Sequence, residues 1–165
     1  MMTARSAGRS DAGAIAAIYN QGIEDRVGTF ETEPRTLAQI EAWFDDDLPI
    51  VAVVDAFGDV VAYAAAFAYS DRCVYGGIGE FSVYVRRDVR GKGAGSIAMD
   101  ALIRAAEKAG LWKLMSRVFP ENSASRALLG KLGFREVGLH EKHGKLDGVW
   151  RDVILVERML PLNLG

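Results

Sequence analysis

The run Phe81-Ser82-Val83-Tyr84-Val85-Arg86-Arg87-Asp88-Val89-Arg90-Gly91-Lys92-Gly93-Ala94-Gly95-Ser96 joins an apolar strand pattern to a basic, glycine-rich turn and then to the start of a helical pattern. That order builds an anion site, because a helix N-terminus presents unpaired amides and the positive end of the helix dipole. Glycines at 91, 93 and 95 keep side chains away from those amides, while Arg90 and Lys92 add positive charge at the rim. The chemistry implied is recognition of a phosphate-bearing ligand. Glu80, at the head of the strand, supplies a carboxylate that can take a proton from an ammonium group. The other reading of Glu80 is a salt-bridged strand-end carboxylate. Arg72 offers a guanidinium suited to bidentate bonding of a carboxylate, with a plain surface arginine as the alternative.

Two familiar phosphate loops fail on spacing. A nucleotide P-loop needs glycine, four spacers and then Gly-Lys-Ser/Thr, which the chain lacks. A dinucleotide fingerprint needs a glycine where Ser96 stands and an acidic residue about twenty positions on, where Lys113 to Ser116 carry none.

A third pattern fits. Arg90-Gly91-Lys92-Gly93-Ala94-Gly95 resembles the Arg/Gln-x-x-Gly-x-Gly/Ala motif of the GNAT superfamily of N-acetyltransferases, and the Val83-Tyr84-Val85 strand, Asn122 and Leu132-Gly133-Phe134 extend the match. From about Asp11 to Met159 the chain is similar to the phosphinothricin and methionine-sulfoximine N-acetyltransferase branch. That likeness rests on Ile18-Tyr19-Asn20, Thr29-Phe30-Glu31-Thr32, Pro34, Thr36, Arg72, Tyr75, Glu80 to Val85, Ser125, Gly148, Trp150 and Asp152-Val153. Glu24-Asp25-Arg26-Val27 is similar to arsinothricin-acetylating members.

The resemblance implies an acetyl-coenzyme A-dependent enzyme that acetylates the α-amine of a small, glutamate-like amino acid or antimetabolite, conferring resistance, without a metal. It implies pairing of the cosubstrate with the main chain of Val83, Tyr84 and Val85. Arg90, Gly91, Lys92, Gly93, Ala94, Gly95 and Ser96 would hold its pyrophosphate, with Asn122 and Ser125 along its arm. The acceptor would lie against Phe30, Arg72, Tyr75, Phe81 and Ser82, with Glu80 as general base, and amides near Tyr84 and Val85 would polarise the thioester carbonyl. Phe30 and Tyr75 are equally readable as packing aromatics. A homodimer is also implied. The rival readings are an acetyltransferase for another small amine or a protein N-terminus, and a coenzyme A-binding module without catalysis.

Two positions depart from the pattern. Leu129 stands where many members carry tyrosine, and this branch often histidine, and it cannot protonate a leaving thiolate. A thiol pKa near ~8.5 lets a thiolate leave without much help; Tyr84 and Ser125 are the substitute acids to consider. Asp147 stands where phosphinothricin enzymes can place histidine.

Several residues invite chemistry and carry less of it. His140 and His143 are three apart on a strand pattern, which points them to opposite faces. The one cysteine, Cys73, excludes an internal disulfide and reads as a small buried hydrophobe. Trp43, Trp112 and Trp150 read as core.

The elements that must position these groups follow from periodicity and capping. A helix is expected over Asp11 to Ile23, and a second from the Thr36/Gln39 capping box through Asp47. Strands are expected at Ile50 to Val54, Val60 to Ala68 and Glu80 to Val85. A long helix runs from Ala94 to Gly110, a strand spans Lys113 to Phe119, and a short helix capped at Asn122 or Ser123 stops at Gly133. Strands at Phe134 to Lys142 and Val149 to Met159 close the chain. The order implies an α+β mixed, largely antiparallel sheet in one domain over 1–165; the resemblance adds a splayed parallel strand pair. The 165 residues suffice for one core, and a formal net charge of −2 argues against general nucleic-acid binding. No apolar run reaches the ~18 residues of a membrane span, and the polar Met1 to Ser10 lacks a signal peptide's apolar stretch, so a cytoplasmic protein is expected.

Overall fold

In a computed structural model that describes residues 1–165, the chain folds around a seven-stranded sheet. The elements are β1 (Thr3–Ser6), α1 (Ala12–Glu24), α2 (Leu37–Glu41), β2 (Ile50–Val54), β3 (Val60–Ala68), β4 (Ile78–Val85), α3 (Ala94–Lys108), β5 (Lys113–Val118), α4 (Ser123–Lys131), β6 (Arg135–Leu146) and β7 (Val149–Met159). The strand order is β1-β2-β3-β4-β5-β7-β6, and every pairing is antiparallel except β4 with β5. The mixed α+β architecture expected from the sequence is the one observed.

β3 explains how the layers meet. Its sequence Val-Val-Ala-Tyr-Ala-Ala-Ala-Phe-Ala is apolar throughout because both of its faces are covered. Ala62, Ala64 and Ala66 pack into one core with Ala94, Ala98 and Ala106 of α3, small residues that let helix and sheet approach closely. Tyr63 and Ala65 face the other way, into a second core with Ile15, Ile18, Tyr19 and Ile23 of α1 and Ile40 of α2. The same alternation on β4 sends Phe81 toward α3 and Tyr84 toward α1.

The elements differ from expectation in three places. β1 has too little apolar character to show in the sequence; it pairs Thr3–Ser6 with Val54–Val51 at the sheet edge. The α2 helix lasts only five residues and tightens into a 3-10 turn at Ala42–Asp45, where Trp43 turns to pack against Tyr19 and Phe67. β6 runs on to Leu146 through a bulge at Lys142, whose φ is 47° and whose amide donates to Asp152 at 2.8 Å. No helix is long and apolar enough to cross a membrane.

Candidate active site

The site begins where the parallel pair comes apart. β4 and β5 pair at Ile78–Lys113, Gly79–Leu114 and Glu80–Met115 and nowhere beyond. β5 then follows β7 through Val118, while β4 stays with β3 through Val85. From Ser82 to Val85 one edge of β4 therefore faces a gap rather than a strand. Ser116 Oγ donates to the Phe81 carbonyl at 2.8 Å and bridges the start of that gap.

The glycine-rich turn lies at the far end of β4. Gly91 and Gly93 have φ of 79° and 90°, a backbone that L side chains adopt only with strain. Gly93 is the N-cap of α3, no side chain caps that helix, and its first backbone bond runs from Ile97 N to Gly93 O. The amides of Ala94 to Ser96 thus precede the helix's own bonding and point out of its end. Gly95 has a different job. A Cβ there would come within 2.9 Å of Leu128 Cδ1, so this glycine lets α3 pack against α4. Arg90 is not free rim charge either, since its Nη1 bonds Asp25 at 2.7 Å and its Nε the Val85 carbonyl at 3.3 Å. Lys92 remains exposed at the rim. Asp25 also takes Arg87, and both guanidiniums hold its carboxyl below the usual range, Arg87 contributing more.

Alternation places Glu80, Ser82 and Tyr84 on the α1 face of β4. Glu80 forms an ion pair with Arg117 of β5, as its salt-bridged reading expected. Ser82 Oγ lies 3.4 Å from the hydroxyl of the fully buried Tyr63. The Tyr84 ring packs against Tyr19 at 5.2 Å, and burial first, then Glu31, push its phenol up to about 12. Leu129 is 2% exposed within the α3 core, a packing position. Ser125 contributes its amide, which donates to Asn122 Oδ1 at 3.1 Å. Phe81 is 4% exposed and packs on Phe134, so its side chain faces away from the acceptor side.

The loop after α1 closes the α1 face. Glu31 accepts from the Tyr19 hydroxyl, Arg35 Nε and Thr29 Oγ1, while Asn20 exchanges two hydrogen bonds with the Arg35 backbone. Burial alone would raise the Glu31 carboxyl; the bonds from Arg35 and Tyr19 outweigh it and hold it below the usual range. Asn122 Nδ2 donates to the Val27 carbonyl at 3.0 Å, and Arg26 pairs with Asp147 at 2.7 Å. Phe30 then stacks edge-on to Phe119 at 5.2 Å and sits over Gly144. Arg72 and Tyr75 lie in the β3–β4 connection, where Arg72 is exposed and Tyr75 packs edge-on to Tyr69.

Other expectations change. The bulge in β6 cancels the two-residue alternation, so His140 and His143 stack at 4.5 Å instead of pointing apart. No cluster of three metal-ligating residues forms around them or elsewhere. Cys73 is exposed rather than buried. Trp150, 53% exposed, lies under Lys145 rather than in the core. A depression of about 320 Å³ lined by Gly133, Arg135, Glu157, Arg158, Met159 and Pro161 shares no residue with the site, so chemistry rather than cavity size locates it.

Comparison with known proteins decides the family. The model of the acetyltransferase (GNAT) family matches residues 15–134, the stretch that holds the strand gap and the glycine turn. The chain belongs to the GNAT acetyltransferase family. Within it, the chain is 35% identical over 157 residues to an L-methionine sulfoximine/L-methionine sulfone acetyltransferase of Pseudomonas aeruginosa, covering 93% of this chain and 91% of that one. It is 28% identical to the phosphinothricin N-acetyltransferase of Streptomyces coelicolor, over 88% and 89% of the two chains. Among solved structures, a GNAT phosphinothricin acetyltransferase from Sinorhizobium meliloti in complex with acetyl-coenzyme A superposes with a TM-score of 0.90 at 29% identity, over 96% of this chain and 88% of that one. The chain is an N-acetyltransferase of the branch that carries these names.

Sequence reasoning missed Arg117, Ser116 and the anchoring role of Glu31. Arg117 would have emerged only from register: it lies two residues past Met115, which is opposite Glu80. The Tyr19-Asn20 and Thr29-Phe30-Glu31 blocks, noted as a branch signature, are the two halves of the bonded clamp that holds the Phe30 loop.

Proposed function

We propose that this GNAT enzyme acetylates the α-amine of a small, glutamate-like amino acid of the phosphinothricin, methionine sulfoximine or arsinothricin class, the whole chain acting as one domain. The observation that carries the reading is the strand gap after Glu80, with an uncapped helix N-terminus at one end and a carboxylate and guanidinium at the other. Acetyl-coenzyme A, when bound, supplies the thioester that the amine attacks. Val83, Tyr84 and Val85 offer it the open edge of β4, and Gly91 to Ser96 with Lys92 offer the amides and charge that suit a pyrophosphate.

On the acceptor side, Glu80 takes a proton from the ammonium nitrogen and Arg72 holds the α-carboxylate. Phe30 and Tyr75 wall the space and shed water from it, and the Ser82 hydroxyl faces it. Asn122, bonded through both ends of its amide, ties the loop that carries Phe30 to the start of α4. The relatives' naming for methionine sulfoximine and phosphinothricin acetylation supports the acceptor class.

Replacing Glu80 with Gln tests the assignment. With phosphinothricin as acceptor, kcat is expected to fall by roughly 10²-fold or more, while calorimetry shows coenzyme A binding within about threefold of native. A non-catalytic coenzyme A-binding module would show binding and no native turnover.

A further inference from the structure

Glu80 does not stand alone at the gap. Arg117, on the same face of β5 by strand alternation, reaches across the point where the strands diverge and forms an ion pair with it. The side chains are 45% exposed for Arg117 and 32% for Glu80, and Arg117 bonds no other carboxylate. A pair this exposed adds little to folding stability, so its consequence is geometric: it fixes which way the Glu80 carboxylate points. Ser116, the residue before it, fastens β5 to the Phe81 carbonyl at 2.8 Å, so the guanidinium projects from an anchored strand.

We propose that Arg117 is a positioning residue for Glu80, holding its carboxylate aimed along the gap where the acceptor amine arrives. This rests on the reading of Glu80 as general base. The proton leaves the acceptor's ammonium nitrogen for a Glu80 oxygen, directly or through one water, and passes on to solvent.

A double-mutant cycle tests this with the full-length protein, phosphinothricin and acetyl-coenzyme A, read by thiol release, with coenzyme A binding as the folding control. R117Q is expected to lower kcat roughly 10-fold while both KM values stay within about threefold, because a misaimed base slows proton transfer without removing binding contacts. R117K, which keeps the charge, recovers most of that loss. The double variant R117Q/E80Q is expected to match E80Q alone, since Arg117 acts only through Glu80. The inference is overturned if R117Q keeps native kcat, if its effect is confined to KM, or if the two losses multiply in the double variant. Native turnover by E80Q alone is a separate failure: it removes Glu80 as the base and, with it, the inference.

Discussion

Replacing Arg72 with Gln removes the one exposed guanidinium that the β3–β4 connection offers to an acceptor carboxylate, and it leaves Glu80, Arg117 and the strand gap untouched. A charge-assisted hydrogen bond contributes about 1.5–3 kcal/mol. That corresponds to a rise in the acceptor KM of roughly 10- to 100-fold, with kcat nearly unchanged because the contact is the same in ground and transition states. Steady-state kinetics with phosphinothricin check it. Leu129, a core hydrophobe, has no proton to give the leaving group, and a thiol pKa near ~8.5 lets a thiolate leave without much help.

At the scale of elements, α4 and the loop over Val27 share one residue. Asn122 Oδ1 caps α4 through Ser125 N, and its Nδ2 holds the Val27 carbonyl. Asn122→Ala is expected to cost about 1–2 kcal/mol, the usual loss for an N-cap. Asn122→Ser keeps a cap and loses only the Val27 bond, so it should recover most of the stability but not the ordering of the Phe30 loop. Denaturant unfolding and hydrogen exchange at residues 26–31 separate the two effects. The elements that position the site were the most legible part of the sequence. β2 and β3 run over the residues their apolar runs mark, and α3 begins at Ala94 as its glycine turn requires. What escaped was register. Nothing local to Arg117 says that it lies beside Glu80, because that contact is set by the parallel pairing of β4 with β5. The histidine pair escaped for the same kind of reason, since between His140 and Gly144 the β6 strand advances four residues against two on β7 and the simple alternation breaks there. Gly95 looked like its neighbours in sequence, and only the nearness of Leu128 assigns it to packing.

Across the whole molecule, carboxylates tie the parts together. Asp11, at the start of α1, takes both Nη atoms of Arg5 from β1, and that bond holds its carboxyl below the usual range. Glu31 and Glu157 are held below it too: burial pushes each up, and the bonds from Arg35 and Tyr19, and from Arg135 and Lys113, prevail. Groups whose folded value is depressed stabilise the protein above the unfolded carboxylate value of ~4, and that stabilisation drains away as pH falls through the folded values. Thermal unfolding should therefore be nearly flat from pH 7 to about pH 5 and fall steeply below about pH 4. Asp11→Asn should lower Tm at pH 7 and make the acid fall shallower. The measurement that bears most directly on the account joins these scales: thiol release by the native protein with acetyl-coenzyme A across phosphinothricin, methionine sulfoximine, arsinothricin and ordinary amino acids, with the product's acetylated nitrogen identified by NMR. The account predicts turnover on the free α-amine of the glutamate-like acceptors and none when their α-carboxylate is amidated. Absence of turnover with every one of these acceptors, or equal turnover with the amidated forms, would contradict it.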